Sequence, residues 1–84
     1  MKLMIFFYLM NEKIDAIHIA APKHAGYWKE KNLVDYKGGP FHDFSGGCIT
    51  FTCDSIDTAN KLVSEDPFVT SNCIKTYWLK EWAA

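Results

Sequence analysis

Residues 2–10 constrain the fold of this chain more than any other segment. Between Lys2 and Asn11 every residue is apolar or aromatic, which predicts a β-strand. Side chains alternate across a strand, and here both faces are apolar: Leu3, Ile5, Phe7 and Leu9 point one way, and Met4, Phe6, Tyr8 and Met10 the other. A strand of this kind is normally covered on both faces.

A helix is predicted to follow this strand. Asn11 is a suitable first residue because its side chain can accept a backbone N–H. Apolar residues then recur at helical spacing, up to a helix end near Asn32: Ile14, Ile17, Ala21, Ala25 and Trp28. Pro22 interrupts the pattern, so it either kinks the helix or opens a second helical segment as its first residue.

Two glycine-containing stretches divide the middle of the chain. Leu33–Lys37 predicts a short strand, and Gly38-Gly39-Pro40 and Ser45-Gly46-Gly47 each predict a break in the chain. The alternating segment Cys48–Cys53 predicts a third strand.

A second helix and a last strand complete the chain. Ser55 is the predicted cap of the helix, whose apolar stripe consists of Ile56, Ala59, Leu62 and Val63. The helix must stop at Asp66, because Pro67 disfavours helix at the residue before it. The last strand is expected from about Ile74 to Trp82, with one face formed by Ile74, Thr76, Trp78 and Trp82.

The element order β-α-β-β-α-β predicts an α+β, ferredoxin-like fold. Its 84 residues form a single domain, residues 1–84. Right-handed crossovers place both helices on one face of an antiparallel sheet. The other face then has no cover within the chain, and exposed apolar area of that extent indicates a partner. We therefore expect a homodimer built sheet to sheet.

The charged residues exclude several classes of partner. The formal net charge is -1 and no arginine occurs, so nucleic-acid binding, which favours arginine, is not expected. No lysine cluster indicates a membrane surface, and no segment is long enough to span a bilayer. A cytoplasmic protein is the expectation.

The cysteine and histidine spacings predict no structural metal and no disulfide framework. The three cysteines, Cys48, Cys53 and Cys73, contain no C-x-x-C pair, and no two histidines have H-x-H or H-x-x-x-H spacing. No metal site and no cofactor is therefore predicted. Reduced thiols fit a cytosolic protein.

An ordered set of short motifs resembles the YCII-related domain family. The motifs cover nearly the whole chain: Tyr8-Leu9-Met10, Ala21-Pro22-Lys23-His24, Tyr27-Trp28, Gly38-Gly39-Pro40-Phe41, Ser45-Gly46-Gly47, Asp66-Pro67-Phe68-Val69 and Tyr77-Trp78-Leu79-Lys80-Glu81-Trp82. The resemblance implies a ferredoxin-like protomer that dimerises through its sheets, the dimeric α+β barrel. It also implies that a histidine of the first helix and the aspartate of the Asp-Pro step, here His24 and Asp66, form a catalytic pair.

Both members of this pair have a simpler alternative. His24 lies at the edge of the buried helical stripe, where it can face a cleft as a general acid/base or lie along the surface. Asp66 stands at a helix C-terminus, where a carboxylate is disfavoured by about 0.3–1 kcal/mol unless a cation offsets it. The alternative for Asp66 is a residue that only ends the helix before proline.

Four further residues are candidates for substrate binding. Gly39 and Pro40 form a turn whose backbone groups can line a pocket. His42 either covers that pocket from the loop between the glycine stretches or is a solvated loop histidine. Ser45 ends the loop but lacks the G-x-S-x-G context of a nucleophile. Five aromatic residues are assigned to the core and the interface rather than to ligand binding: Phe6, Tyr8, Phe51, Trp78 and Trp82.

Two functions are compatible with these features. The first is a small lyase- or isomerase-type enzyme in which His24 and Asp66 move a proton on a small cyclic or aromatic substrate. The resemblance adds that some related proteins act on oxidised or chlorinated aromatic-ring products. The second is a non-catalytic dimeric module that binds a small ligand or supports a partner. An enclosed cleft faced by both side chains favours the enzyme, and either side chain in bulk water favours the module.

Overall fold

The computed structural model describes residues 1–83. Its elements follow the predicted order, with a short third helix added: β1 (Lys2–Met10), α1 (Ile14–Glu30), β2 (Val34–Pro40), β3 (Gly46–Cys53), α2 (Ile56–Ser64), α3 (Pro67–Thr70) and β4 (Ile74–Trp82). The first and last strands have the bounds that the sequence predicts. Within the described residues, no helix is both long and apolar enough to cross a membrane.

The sheet has four strands in the order β2-β3-β1-β4, and each neighbouring pair is antiparallel. β1 and β3 therefore occupy the centre of the sheet, and β2 and β4 form its edges. This is the ferredoxin-like arrangement, so the predicted fold class is confirmed.

The first helix begins at Ile14, so the prediction that Asn11 starts it is wrong. The Asn11 side-chain oxygen accepts the backbone N–H of Lys13 at 3.0 Å, which forms a local turn before the helix. Lys13 occupies the cap position without a side-chain bond. Pro22 lies inside this one continuous helix and does not open a second segment.

The glycines of both predicted chain breaks, and Pro40, are parts of strands, which corrects the sequence interpretation; Ser45 stays outside them. β2 continues to Pro40, and β3 already begins at Gly46. A Cβ on Gly46 would overlap the backbone carbonyl of Tyr8, and a Cβ on Gly47 would lie 2.5 Å from the Tyr8 hydroxyl. Glycine is needed here because β3 approaches β1 too closely for any side chain.

The segment around Asp66 also differs from the prediction. α2 ends at Ser64, and Asp66 is the cap of α3, which begins at Pro67. A carboxylate is favourable at that position because the first N–H groups of a helix are unpaired, and proline fits the first helical position because it has no N–H to lose. The Ser55 cap of α2 is present as predicted, accepting the N–H of Thr58 at 3.2 Å.

The core lies between the helices and one face of the sheet. Its buried side chains come from every element except β2 and β4, together with Cys73 just before β4: Met4, Phe6, Tyr8, Ala20, Trp28, Ile49, Phe51, Cys53, Ala59, Val63, Phe68 and Cys73. A register shift between Leu9 and Met10 lets Ile74 pack against this core. The predicted position of Ile74 on the face of Trp78 is therefore wrong.

The opposite face of the sheet, here called the open face, carries the second apolar set of β1. The side chains of this face come from Leu3, Ile5, Phe7 and Leu9 and from their cross-strand neighbours Cys48, Thr50, Thr52, Thr76, Trp78, Lys80 and Trp82. The four β1 residues are only partly buried, and Trp78 and Trp82 are 39% and 57% exposed. Within residues 1–83, the buried helix residues pack with Met4, Phe6 and Tyr8, on the other face of β1.

Candidate functional site

Asp66 is the fully buried centre of the candidate site, at 0% exposure. As the cap of α3 it accepts the backbone N–H of Phe68 at 2.8 Å. Its other oxygen accepts the indole N–H of Trp28, from α1, at 2.9 Å. Two donors from different elements thus fix the carboxyl group, which satisfies the rule that buried polar groups are hydrogen-bonded.

His24 projects from α1 onto this carboxyl group. Its Nδ1 lies 2.8 Å from Oδ1 and 2.9 Å from Oδ2 of Asp66, and its side chain is 12% exposed. Because Asp66 also receives the N–H groups of Trp28 and Phe68, it acts as an acceptor toward His24, and Nδ1 carries the proton. An orienting carboxylate of this kind fixes the tautomer of the imidazole.

Tyr8 and Phe68 also contact the imidazole. The Tyr8 hydroxyl lies 3.1 Å from His24 Nε2. The Phe68 ring stacks on the imidazole, with ring centroids 4.1 Å apart and 21° between the planes. Burial, reinforced by the Asp66 carboxylate, raises the pKa of the Tyr8 hydroxyl above its ordinary value. Tyr8 is therefore a neutral hydroxyl at ordinary pH.

A cleft of about 380 Å³ opens beside His24. Aromatic, glycine and alanine residues dominate its walls, with one cationic side chain: Tyr8, Ala21, His24, Ala25, Lys29, Tyr36, Gly38, Gly39, Pro40, Ile49 and Phe68. Burial also raises the pKa of the Tyr36 hydroxyl, so it too is a neutral donor. The volume is within the range of small-molecule sites.

A second cleft, of about 550 Å³, adjoins the first. The two clefts share three lining residues, Tyr8, Pro40 and Phe68. The remaining lining is mainly apolar: Met10, Asn11, Ile14, Ile17, His18, Phe44, Ser45 and Gly46. Tyr8 and Phe68 therefore stand at the junction of two cavities, while His24 lines only the smaller one.

The predicted site residues are distributed unevenly around these clefts. His24 and Asp66, distant in sequence, are in direct contact, and Gly39 and Pro40 line the cleft beside them. Ser45 lines the adjoining cleft, where its hydroxyl donates to Asp43 at 2.7 Å.

His42 lies on the exposed turn between β2 and β3, and it lines neither of the two clefts. The turn is held by its own hydrogen bonds, including Phe44 N–H to the Phe41 carbonyl at 2.9 Å. Substrate binding by His42 stays a prediction, because His42 lines neither cleft of the protomer.

Within residues 1–83, no group of three or more His, Cys, Asp or Glu side chains could hold a metal ion.

Three residues of the site were missed by the sequence interpretation, namely Tyr8, Trp28 and Phe68. Tyr8 and Trp28 were assigned to the core, and both are buried. Their polar atoms nevertheless end in the site, since Tyr8 contacts His24 and Trp28 contacts Asp66. A usable signal existed, because buried Tyr and Trp side chains usually direct their O–H or N–H to a partner.

Comparison with known proteins identifies the family. A model of the YCII-related domain matches residues 1–83, and the chain belongs to that family. A search of curated proteins finds no match. A similar solved structure is 5-chloro-2-hydroxyhydroquinone dehydrochlorinase (TftG) from Burkholderia phenoliruptrix AC1100, in complex with 2,5-dihydroxybenzoquinone. It is 18% identical, with a TM-score of 0.82 over 95% of this chain and 92% of that chain. At this identity the similarity establishes a shared fold.

Proposed function

We propose that this chain is a small lyase- or isomerase-type enzyme that moves a proton on a small cyclic or aromatic substrate. One observation carries the proposal: a histidine held by a fully buried aspartate, at 2.8 Å, lines a cleft of ligand size. Enzymes use this combination of base and orienting carboxylate for general acid/base catalysis.

The chemistry follows from the hydrogen bonds. Asp66 holds the Nδ1–H of His24, which leaves Nε2 as the basic atom directed away from the carboxylate. When the imidazole takes a proton, the resulting cation lies directly against Asp66, which stabilises it. None of the side chains that line the cleft is a serine, threonine or cysteine, so proton transfer fits this site better than acyl transfer.

The lining of the cleft favours a planar ring with an acidic oxygen. Phe68 and Pro40 offer apolar surfaces to a ring, whereas Lys29 and Tyr36 offer a cation and a hydroxyl donor. No carboxylate belongs to the cleft lining. The 2,5-dihydroxybenzoquinone in the similar structure is a ligand of this chemical type and supports the proposal.

The homodimer is also part of the proposal. The open face is largely apolar, and its Phe7 and Trp78 rings are stacked with centroids 4.7 Å apart. A second copy placed sheet to sheet would cover these residues, and a stable interface of this class buries about 1,600 Å² in total.

The free state of Cys48, Cys53 and Cys73 supports a reducing, cytoplasmic location.

Exchange of ring hydrogens for deuterium tests the proposed function without knowledge of the final product. In keto–enol exchange a proton leaves a ring hydroxyl and another adds to a ring carbon, so nothing is oxidised. Hydroxyhydroquinone in D2O under nitrogen is the probe, followed by proton NMR. We expect the protein to accelerate the exchange and the His24→Ala variant to lose about 10²–10⁴ of the rate.

Lys23→Ala is the matched control, because Lys23 is the exposed neighbour of His24 and lines no part of the cleft. Its rate should equal that of the wild type. Binding of 2,5-dihydroxybenzoquinone in a thermal-shift assay, together with exchange that is equal in wild type and His24→Ala, would instead establish the non-catalytic module.

A further inference from the structure

Both ring nitrogens of His24 are already engaged within the protomer. Nδ1 contacts Asp66 at 2.8 Å, and Nε2 contacts the Tyr8 hydroxyl at 3.1 Å. The imidazole therefore has no free nitrogen to present to a ligand. We infer that the Tyr8 hydroxyl, and not the imidazole, exchanges the proton with the substrate, as the outer member of an Asp66–His24–Tyr8 relay. This inference rests on the proposed function.

The direction of each hydrogen bond follows from the buried aspartate. Asp66 receives N–H groups from Trp28 and Phe68, and the Nδ1–H of His24 completes its set of donors. In a neutral imidazole with the proton on Nδ1, Nε2 is an acceptor. Tyr8 is then the donor in its bond to His24. The lone pairs of the Tyr8 oxygen stay available to accept a proton from a ligand.

Tyr8 cannot easily move aside to expose His24. It is 4% exposed, and its ring lies 5.1 Å from that of Phe6 and 5.9 Å from that of Phe68, between centroids. Gly47 lies directly beside the hydroxyl, so close that a Cβ there would be 2.5 Å from it. A side chain packed this closely keeps its rotamer, so a substrate meets the Tyr8–His24 bond intact.

The position of Tyr8 between the two clefts gives a substrate access to this residue. Tyr8 lines both cavities, whereas His24 lines only the smaller one. A ring that enters either cleft can therefore contact Tyr8. Lys29 and Tyr36 belong to the smaller cleft, where they can hold a second, anionic oxygen of the same ring.

The proposed step balances without a co-reactant. A ring hydroxyl of the substrate gives its proton to the Tyr8 oxygen, while the Tyr8 O–H proton passes to His24 Nε2. The products are a substrate oxyanion, a neutral tyrosine and an imidazolium that is paired with Asp66. The reverse transfer delivers a proton to a ring carbon and completes the tautomerisation. Burial disfavours a standing phenolate at Tyr8, which requires the two transfers to be coupled.

Tyr8→Phe is the test variant, because it removes one oxygen and keeps the ring that packs in the core. Tyr77→Phe is the matched control, since Tyr77 also packs against Phe6, at 5.6 Å, but lies outside both clefts. Two measurements are made on each protein: deuterium exchange of hydroxyhydroquinone, and the ¹⁵N NMR shifts of the His24 ring. Circular dichroism confirms that each variant is folded.

The relay predicts a rate loss of about 10²–10⁴ in Tyr8→Phe, equal in scale to that of His24→Ala, and no loss in Tyr77→Phe. It also predicts that the Nε2 resonance of Tyr8→Phe shifts while the Nδ1–H signal persists. Wild-type or faster exchange in Tyr8→Phe, with His24→Ala inactive, would overturn the relay and leave the proposed function standing. An Nε2 resonance that is unchanged in Tyr8→Phe would overturn it as well. Full exchange in His24→Ala would instead remove the proposed function.

Discussion

The two faces of β1 are both apolar in sequence but have opposite roles in the molecule. On the helix-covered face, Tyr8 carries a hydroxyl into a network with His24 and the fully buried Asp66. On the open face, Phe7 stacks on Trp78, which remains 39% exposed. One face thus encloses polar chemistry, and the other presents uncovered apolar surface.

This difference shows how a short chain can support a buried charged group. Within residues 1–83, every buried side-chain nitrogen or oxygen has a hydrogen-bond partner, so the enclosed face bears no unsatisfied polar atom. A buried carboxylate without partners would be costly in a chain of this size. The open face is the surface on which the proposed homodimer would form.

The largest expected effect comes from breaking the polar network on the enclosed face. Asp66→Asn leaves one carbonyl oxygen for three donors, those of His24, Trp28 and Phe68. We expect the free energy of unfolding to fall by about 3–5 kcal/mol in urea titrations. Glu65→Gln, at the exposed neighbouring carboxylate, should change it by less than about 0.5 kcal/mol. Equal effects of the two variants would contradict the central role of Asp66.

A charge on the open face should disrupt association and spare the enclosed face. Trp78→Asp places a carboxylate beside Phe7, within the proposed interface. Because truncation of such anchors costs about 2 kcal/mol or more of binding, light scattering should show the wild type as a dimer and Trp78→Asp as a monomer at micromolar concentration. Ile19→Asp, which alters an apolar residue of α1 that is 65% exposed, should remain dimeric. A monomeric wild type would refute the sheet-to-sheet dimer.

Two glycine-to-alanine variants sharpen the comparison at smaller scale. In Gly47→Ala the new methyl meets the Tyr8 hydroxyl and the Gly39 carbonyl at 2.5 and 2.8 Å, so about 1–3 kcal/mol of stability should be lost. In Gly26→Ala nothing lies within 4 Å of the new methyl, and the helix should gain about 0.5–1 kcal/mol. Thermal unfolding should therefore show a lower melting temperature for Gly47→Ala and a higher one for Gly26→Ala than for the wild type.

The smallest expected effect is an alkaline one. Burial raises the pKa of Tyr8 and Tyr36, and that of Tyr27 to about 12. An unfolded tyrosine loses its proton near pH 10, so above that pH the folded state binds more protons than the unfolded state. Stability should therefore be fully present below about pH 10 and decline as pH rises through the folded values. Ultraviolet titration of the folded protein should show that these tyrosines ionise above pH 10. In urea they should ionise near pH 10.

The sequence predicted the strands at both ends of the chain and the cap at Ser55, because local apolar patterns and capping determine them. It misjudged the glycine stretches, since the close approach of Gly46 to Tyr8 depends on a strand distant in sequence. The prediction that the second helix stops at Asp66 is wrong, because α2 already ends at Ser64 and Asp66 caps the following helix α3.

The pairing of His24 with Asp66 was anticipated from the family resemblance, whereas the rest of the site was not. Helical spacing predicts the face of α1 on which His24 lies. It does not predict that Asp66, the cap of α3, packs against that position of the helix. The contacts of Tyr8 and Trp28 depend on how that face packs on the sheet. Single-residue patterns therefore located the core only in part, since Ile14 and Ala25 of the predicted helical stripe are exposed and Ala20 is buried instead. They also overlooked the polar ends of the buried aromatic residues.

A double-mutant cycle of His24→Ala and Asp66→Asn, read by deuterium exchange into hydroxyhydroquinone on variants that circular dichroism shows to be folded, tests the central claim most directly. If the two side chains act as one acid/base unit, each single variant loses about 10²–10⁴ of the rate, and the double variant loses little more than either. Losses that multiply fully in the double variant, or full activity in His24→Ala, would contradict the account.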